Sequence, residues 1–490
     1  MTTMQTSAAI DAAWQSAWRD FLANKIALAE RRATPLVAQH LEQTLARAAV
    51  SDHEDAALDD QLVTLADLAH ISGAARGDVA MLERAVAGYD AHLHRCPRNH
   101  DAMRMRAESL LRCHRMPSAF EAFEQLYRAS LDPSSAEREG AEIAAFQLLH
   151  DAECVEDAVR LGADATALSM AVNWRELATQ LAPIPRGESG DGPSATIRRH
   201  PVRSLSGAQR ALLGTHGAPL PLPPIDAGAL PPTTALRADI DWAWAAREYS
   251  SKRMVVVDDL LGPAALAMMQ AYTRHGAHFR TLRAGYLGAF PADGTTHPLI
   301  LRLAEELVHA APSIFSSHAL ALWWIFKYDQ TNPSGIGIHA DPAAVNINLW
   351  LTDDAHCLDG GGLTIYAHVP ELELPTQSVN REYESAAAEQ TLRDELTGKG
   401  RVLTIPYRCN RAAIFISDQY HESLPFRFAP GYASRRANLT LLFGDRWSPL
   451  PPSSGALGAT VTVIAPPAAG DGTPPNTGTV PDDDGWDVFS

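Results

Sequence analysis

The chain has 490 residues, 46% of them hydrophobic and 20% charged, with a formal net charge of −17. That length exceeds one ordinary domain, so two or three folded units are expected, each able to bury a sizeable core. The acidic balance, with no dense Lys/Arg run, excludes a nucleic-acid backbone or an anionic membrane surface as principal partner.

Residues Ile10 to Leu181 are rich in alanine and leucine. Apolar positions recur three and four apart, as in Leu62, Leu65 and Leu68, then Met81, Leu82, Val86 and Tyr89. This spacing predicts amphipathic helices. Within the run, Tyr89 to Pro97 is echoed by Phe123 to Pro133. Each segment ends a helix at proline, and Ala119, Ala122 and Phe123 sit where small and aromatic residues would pack. The two prolines lie near the tetratricopeptide period of about 34 residues. Between Gln61 and Gly162 the sequence resembles two or three such repeats. A tetratricopeptide-like α-helical domain is therefore expected over residues 1–181, with a concave face suited to a peptide or protein segment. A generic helical bundle fits the same periodicity. His92, His94, His100 and His114 are not at metal-site spacing and read as solvated side chains.

Residues 182–238 read as a Pro/Gly-rich linker, including Ala218 to Pro224 and Leu230-Pro231-Pro232. A second domain is predicted over residues 239–447. It opens with a strand at Met254 to Leu261 and a helix after Gly262-Pro263, where the missing proline donor costs nothing. Another helix is predicted over Pro298 to Ala310. Strands follow at Ala319–Tyr328, Gly335–His339, Val345–Thr352, Leu363–Val369, Arg401–Pro406, Ala412–Ser417 and Ala437–Gly444, with turns such as Asp359 to Gly362 between them. Short strands so punctuated predict a double-sheet jelly roll. The polar insertion from Gln377 to Gly400 reads either as a lid or as a solvated surface helix. Residues 448–490 end in an Asp482-Asp483-Asp484 run and are predicted to be a disordered acidic tail.

Cys96, Cys113, Cys154, Cys357 and Cys409 are scattered with no Cys-x-x-Cys pair, which argues against a zinc site or disulfide framework. Met1 to Ala9 lacks the features of a secretory signal. No run has the apolar length to cross a bilayer. A cytoplasmic protein is expected.

The chemistry gathers in the second domain. In an extended backbone His339 and Asp341, two residues apart, point to one face. His421 follows the apolar run Ala412 to Ile416. Two histidines and one carboxylate make the facial triad that holds non-haem Fe(II) and leaves positions open. Arg436, Asn438 and Thr440 alternate with Leu439, Leu441 and Phe443. A guanidinium on that inner face needs an anionic partner, and its planar fork matches a carboxylate. His356, Cys357 and His368 flank the glycine turn and read as loop residues.

The order His-x-Asp, distal His, then Arg on the following strand resembles the Fe(II)- and 2-oxoglutarate-dependent dioxygenases, in their prolyl 4-hydroxylase-like branch. The resemblance spans about Met254 to Arg446. It implies a double-stranded β-helix (jelly-roll, cupin-type) domain, with Fe(II) ligated by His339, Asp341 and His421. It further implies that Arg436 anchors 2-oxoglutarate, with Tyr328, Asn348 and Thr440 as additional contacts. The doublet Arg435-Arg436 leaves the anchor open between the two, and Arg436 fits the strand pattern better. O2 is the implied oxidant and ascorbate a helpful reductant.

The whole chain is thus expected to be an α+β multidomain protein that hydroxylates a protein or peptide recruited by its helical repeats. One alternative is an oxygenase of a small metabolite or carrier-bound intermediate, its repeats serving oligomerisation or a biosynthetic partner. Another is a non-catalytic scaffold with a vestigial barrel, against which the intact set His339, Asp341, His421 and Arg436 speaks. Homo-oligomerisation is left open.

Overall fold

A computed structural model describes residues 3–22, 25–50, 55–131, 141–182, 199–216, 233–283, 285–328, 335–370, 386–447 and 463–464. Residues 183–198 and 217–232 of the expected linker lie outside the described residues. So do residues 377–385 of the insertion, and the expected tail apart from Val463 and Ile464. The chain divides into two compact units. One is Met1–Ala129 with Ala319–Ala321 and Pro370–Val379, and the other is the remainder.

The first unit is helical: α1 (Thr3–Leu22), α2 (Ile26–Val50), α3 (Ala56–Arg76), α4 (Val79–Arg95), α5 (His100–Arg112) and α6 (Met116–Ser130). Polar side chains start three of these helices. Asp55 accepts from the Leu58 amide, Asp78 from Met81 and Asn99 from Ala102, each at 3.1 Å. Each cap satisfies an amide that has no partner inside its helix. Leu41, Leu65, Leu68, Met81 and Tyr89 lie in one apolar core. Asp67 is buried beside that core, held by the Tyr89 hydroxyl at 2.6 Å and the Trp14 indole at 2.8 Å. His92, expected to be solvated, is buried instead. Its Nδ1 meets the Asp59 carbonyl at 2.9 Å and its Nε2 meets Asn99 at 2.9 Å, so two hydrogen bonds replace water.

The second unit opens with β1 (Glu142–Ile143), α7 (Ala145–Arg160), α8 (Leu168–Leu181), β2 (His200–Pro201) and α9 (Gly207–Leu213). Leu148, Val155, Trp174, Leu177 and Leu213 close their shared core. There follow α10 (Trp242–Lys252), β3 (Met254–Val257), α11 (Pro263–Ala271), β4 (Thr281–Arg283), β5 (Tyr286–Ala289), α12 (Pro298–Ala310), α13 (Pro312–Phe315) and β6 (Leu320–Tyr328). The remaining elements are β7 (Val345–Trp350), β8 (Cys357–Gly360), β9 (Leu363–Tyr366), α14 (Ala386–Lys399), β10 (Val402–Ile405), β11 (Ala412–Ile416), β12 (His421–Ser423), β13 (Phe426–Phe428), β14 (Ala437–Phe443) and β15 (Val463–Ile464).

An eight-stranded sheet has the order β15-β3-β11-β7-β14-β6-β5-β4, with β15 joining β3 in parallel. The pairs β3/β11, β11/β7, β7/β14, β6/β5 and β5/β4 are antiparallel. Two smaller sheets, β10-β9-β12 and β13-β8, complete the set. Val256, Trp350, Ala413 and Phe415 of the large sheet pack on Leu363, Ile365 and Ile405 of the first small sheet. Trp324, Phe326, Tyr328 and Leu442 pack on Phe426 and Phe428 of the second. The result is a two-layer antiparallel sandwich whose inner faces interdigitate. No helix of the described residues is long and apolar enough to cross a membrane.

The segment Gly335–His339 does not form the expected strand. It makes only an isolated antiparallel bridge, His339 to His421. Gly335, at φ +69°, and Gly337 contribute no side chain to a pleated surface; Ser423 of β12 lies close against the first and Glu389 of α14 against the second. The Gly360–Gly362 turn is more demanding. Gly360 sits at φ +63°, and a Cβ on Gly362 would overlap the Ile405 carbonyl oxygen. Gly362→Ala is therefore expected to lower stability by roughly 1–3 kcal/mol through local overpacking. Thermal unfolding checks this, and an unchanged Tm would mean that the β9/β10 pairing yields to the extra methyl.

Candidate metal centre

Three side chains converge at the end of the sandwich where β11 and β12 meet the segment before β7. The donor atoms of His339, Asp341 and His421 all lie within 4.8 Å of one another. His421 Nε2 is 3.4 Å from Asp341 Oδ2, and His339 Nε2 is 3.8 Å from Asp341 Oδ1. Main-chain bonds hold the three together. His339 and His421 exchange amide-to-carbonyl bonds of 2.9 and 2.8 Å, while the Asp341 amide donates to the Ser417 carbonyl at 3.1 Å.

Ring orientation is fixed the same way in both histidines. His339 Nδ1 is 2.8 Å from the Gly337 carbonyl, and His421 Nδ1 is 2.8 Å from the Gln419 carbonyl. A carbonyl only accepts, so each Nδ1 carries the proton and each Nε2 keeps its lone pair for a ligand bond. Asp341 Oδ2 accepts from the Asn346 amide at 2.8 Å. Burial and the nearby His421 push the His339 imidazolium down to about 4, favouring the neutral, ligating form. Burial alone would raise the Asp341 carboxyl, but His421, His339 and Asn346 outweigh it and keep it ionised. Two neutral imidazoles and one carboxylate are the donor set of a 2-His-1-carboxylate iron site.

A second polar feature lies further along the same inner face. Arg436 is 1% exposed. Its Nε and Nη2 donate to the Gly361 carbonyl at 3.1 and 3.0 Å, and its guanidinium lies 4.4 Å from the centre of the Tyr328 ring. Nη1 has no hydrogen-bond partner, and no carboxylate pairs with the group among the described residues. Asn348 and Thr440 face each other across the β7/β14 pair, and Asn438 donates to Thr440 at 3.2 Å. The Asn348 and Asn438 carbonyl oxygens are buried without a partner. An uncompensated buried guanidinium is expensive, so this interior is chemically set for an anion. Arg435, the neighbouring candidate, turns the other way and donates to Glu153 of α7 at 2.8 Å.

Sequence reading missed Asn346 and the residues that brace the ligand segments. Asn346 was findable, since it shares a β7 face with Asn348. The braces come from α14. Glu389 Oε1 accepts from the Ile338 amide at 3.3 Å, and Arg393 joins Glu389 at 3.1 Å to Glu422, beside His421, at 2.6 Å. Tyr366 donates to the same Glu422 carboxylate. Leu392 and Leu396 are buried. Thus α14 docks on both histidine-bearing segments, which a solvated surface helix would not do. His356, read as a loop residue, bonds Ser434 at 3.0 Å through Nδ1.

No protein-family model matches the chain, and no curated protein does. Several solved structures are similar. The non-haem α-ketoglutarate-dependent epimerase SnoN from nogalamycin biosynthesis is 16% identical over 42% of this chain and 83% of its own, with a TM-score of 0.30. An oxidoreductase of the 2OG-Fe(II) oxygenase family from Burkholderia pseudomallei is 13% identical over 45% of this chain and 98% of its own, with a TM-score of 0.29. A Pseudomonas putida prolyl-4-hydroxylase is 16% identical over 42% and 99%, with a TM-score of 0.26. At such identities and scores the weight of any assignment rests on the side chains.

Arg393→Met removes both ion pairs of the α14 brace. These groups are partly exposed, so the expected stability loss is only about 1 kcal/mol. The sharper expectation is faster amide exchange at Ile338 and along α14, with β7, β11 and β14 unchanged. Unchanged exchange would show that Leu392 and Leu396 hold the helix without the charges.

Proposed function

We propose that the protein is an Fe(II)- and 2-oxoglutarate-dependent dioxygenase that hydroxylates a C–H bond of a protein or peptide recruited by its N-terminal helical region. The sandwich is read as a double-stranded β-helix, and the helical region as tetratricopeptide-like. One observation carries the reading. The same sandwich interior holds a His339/Asp341/His421 donor set, with both Nε2 lone pairs available, and a buried Arg436 guanidinium with an unused donor.

In this reading His339, Asp341 and His421 hold Fe(II), and 2-oxoglutarate binds with its distal carboxylate on Arg436. When bound, the iron and 2-oxoglutarate supply the oxidising chemistry, consuming O2 and releasing succinate and CO2. The chain's own residues position and enclose. The Gly337 and Gln419 carbonyls keep each imidazole Nε2 directed at the ion, and Asn346 holds the Asp341 carboxylate in place. The Tyr328 ring lies 4.4 Å from the Arg436 guanidinium and adds a cation–π contact that helps to hold it. Asn348 and Thr440 offer further polar contacts to the cosubstrate. The apolar packing between the sheets excludes bulk water, which strengthens the charge pairing at Arg436. Because Arg435 is engaged by Glu153, Arg436 is the anchor of choice.

His339→Ala is expected to abolish stoichiometric Fe(II) binding in anaerobic titration while leaving the circular dichroism spectrum intact. Retained binding would remove His339 from the ligand set. Arg436→Met should still bind Fe(II) yet require far more 2-oxoglutarate, at least about thirtyfold, because truncating one partner of a buried charged pair costs roughly 2–5 kcal/mol. Succinate formation against 2-oxoglutarate concentration measures it, and an unchanged requirement would place the anchor elsewhere.

The substrate class is tested by deleting residues 1–129 and leaving α7 and α8 in place. Those helices belong to the second unit, where Asp157 and Glu153 bind Arg274 and Arg435. The shortened protein is expected to form succinate without substrate at the full-length rate and to lose hydroxylation of peptide substrates from host extract, read by mass shift. Full substrate turnover after the deletion would favour a small metabolite bound by the sandwich alone.

A further inference from the structure

Strand β6 and the two residues leading into β14 together carry cations on both faces. Tyr328 and Arg436 point inward, so their neighbours Lys327 and Arg435 point outward. The outward pair lines a cavity of about 370 Å³ bounded by α11, the turn after it and the segments around Thr352 and Tyr432. Nothing in the proposed oxygenase chemistry uses this cavity.

Its charged side chains are mostly cationic. Arg274, Lys327 and Arg435 line it, with Asp353 as the acidic side chain. Arg274 and Arg435 are offset by Asp157 and Glu153. Lys327 is offset only in part: it is 4% exposed and forms no ion pair among the described residues, while its ammonium lies 4.4 Å from the centre of the Phe279 ring and 4.6 Å from that of Tyr432, with Asp151 acting only at longer range. Its ammonium donates to the Tyr432 hydroxyl at 2.9 Å and the Arg274 carbonyl at 3.4 Å. Tyr432 in turn donates to that same carbonyl. An ammonium has three donors, so one remains. Thr273 Oγ1 also lines the cavity, nine-tenths buried and with no hydrogen-bond partner. Burial, aided by the nearby Arg435 and Arg274 and opposed by Asp151, pushes the Lys327 ammonium down to about 7.

We propose that this outer cavity binds a small organic oxyanion, a phosphate- or carboxylate-bearing metabolite. Its charged group sits against Lys327 and Thr273, and its body sits against Ala267, Ala271 and Leu351. A lysine serves such a group as a point charge, and the hydroxyl adds a directional donor. The site is separate from the inner anchor, since Lys327 and Arg436 lie on opposite faces of the sheet.

The test is isothermal titration of the full-length chain with inorganic phosphate and, in parallel, with malonate. At least one is expected to bind at one equivalent per chain in a site that survives Arg436→Met, and the tighter of the two names the oxyanion. That affinity should fall tenfold or more in Lys327→Met and several-fold in Thr273→Val. The near-isosteric threonine variant decides the matter if Lys327→Met does not fold. No binding of either probe in the Arg436→Met background, or binding indifferent to both Lys327→Met and Thr273→Val, overturns the proposal.

Discussion

The reciprocal main-chain pair between His339 and His421 is the constraint on which the candidate metal centre depends. These residues lie far apart in the chain, and closing so long a loop carries an entropic cost that local contacts cannot meet. The sandwich meets it through the β11/β7 and β12/β9 ladders, which bring the end of β11 and the start of β12 beside the segment before β7. Ser417 ties the joint, its carbonyl accepting from the Asp341 amide and its hydroxyl donating to the Asp341 carbonyl at 3.2 Å. Because backbone bonds position the donors, the site is organised before any ion arrives. Preorganisation of that kind keeps ligand geometry from resting on flexible side chains.

A second constraint is the burial of positive charge. Arg435 and Arg436 differ by one position, and strand alternation sends them to opposite faces. Arg435 meets a carboxylate from α7. Arg436 meets only a carbonyl oxygen and the flat faces of Tyr328 and Phe426. Aromatic faces compensate a cation only partly, by about 2 kcal/mol when desolvated. The remaining deficit is what the carboxylate proposed to bind there would relieve. Replacing the same side chain by an apolar one would give a quieter core and no anchor.

Much of this was legible because the informative patterns are local. The His-x-Asp spacing, the alternation from Arg436 to Phe443 and the prolines at Pro263 and Pro298 each declare a backbone conformation within a few residues. The strand expected at Gly335–His339 failed for a local reason too, since its two glycines carry no side chains and Gly335 adopts a positive φ. What could not be read was which distant surface each element meets. Helical period marks α7 and α8 as amphipathic but not which core they face; both belong to the same unit as the sheet, and α7 reaches Arg274 and Arg435 through Asp157 and Glu153. The role of Glu389 and Arg393 was hidden likewise, because helix periodicity shows that a charge pair is possible but not that a third partner, Glu422, waits on another strand. His92 is the plainest case: a polar residue on a helix reads as solvated until its two partners, Asp59 and Asn99, are seen beside it.

The two-residue period of a strand also limits how independent the faces of this sheet can be. β6 carries Lys327 and Tyr328 in succession, and Arg435 and Arg436 immediately precede β14. The Tyr328 amide donates to the Arg436 carbonyl at 2.9 Å. Any shift of these strands that reorients the inner tyrosine and arginine must therefore move the outer lysine and arginine as well. Close packing of the inner face resists small displacements and transmits those that occur. Occupancy of the outer cavity and the posture of the inner anchor thus share one mechanical element, and the single hydrogen bond between Tyr328 and Arg436 is where the two would meet.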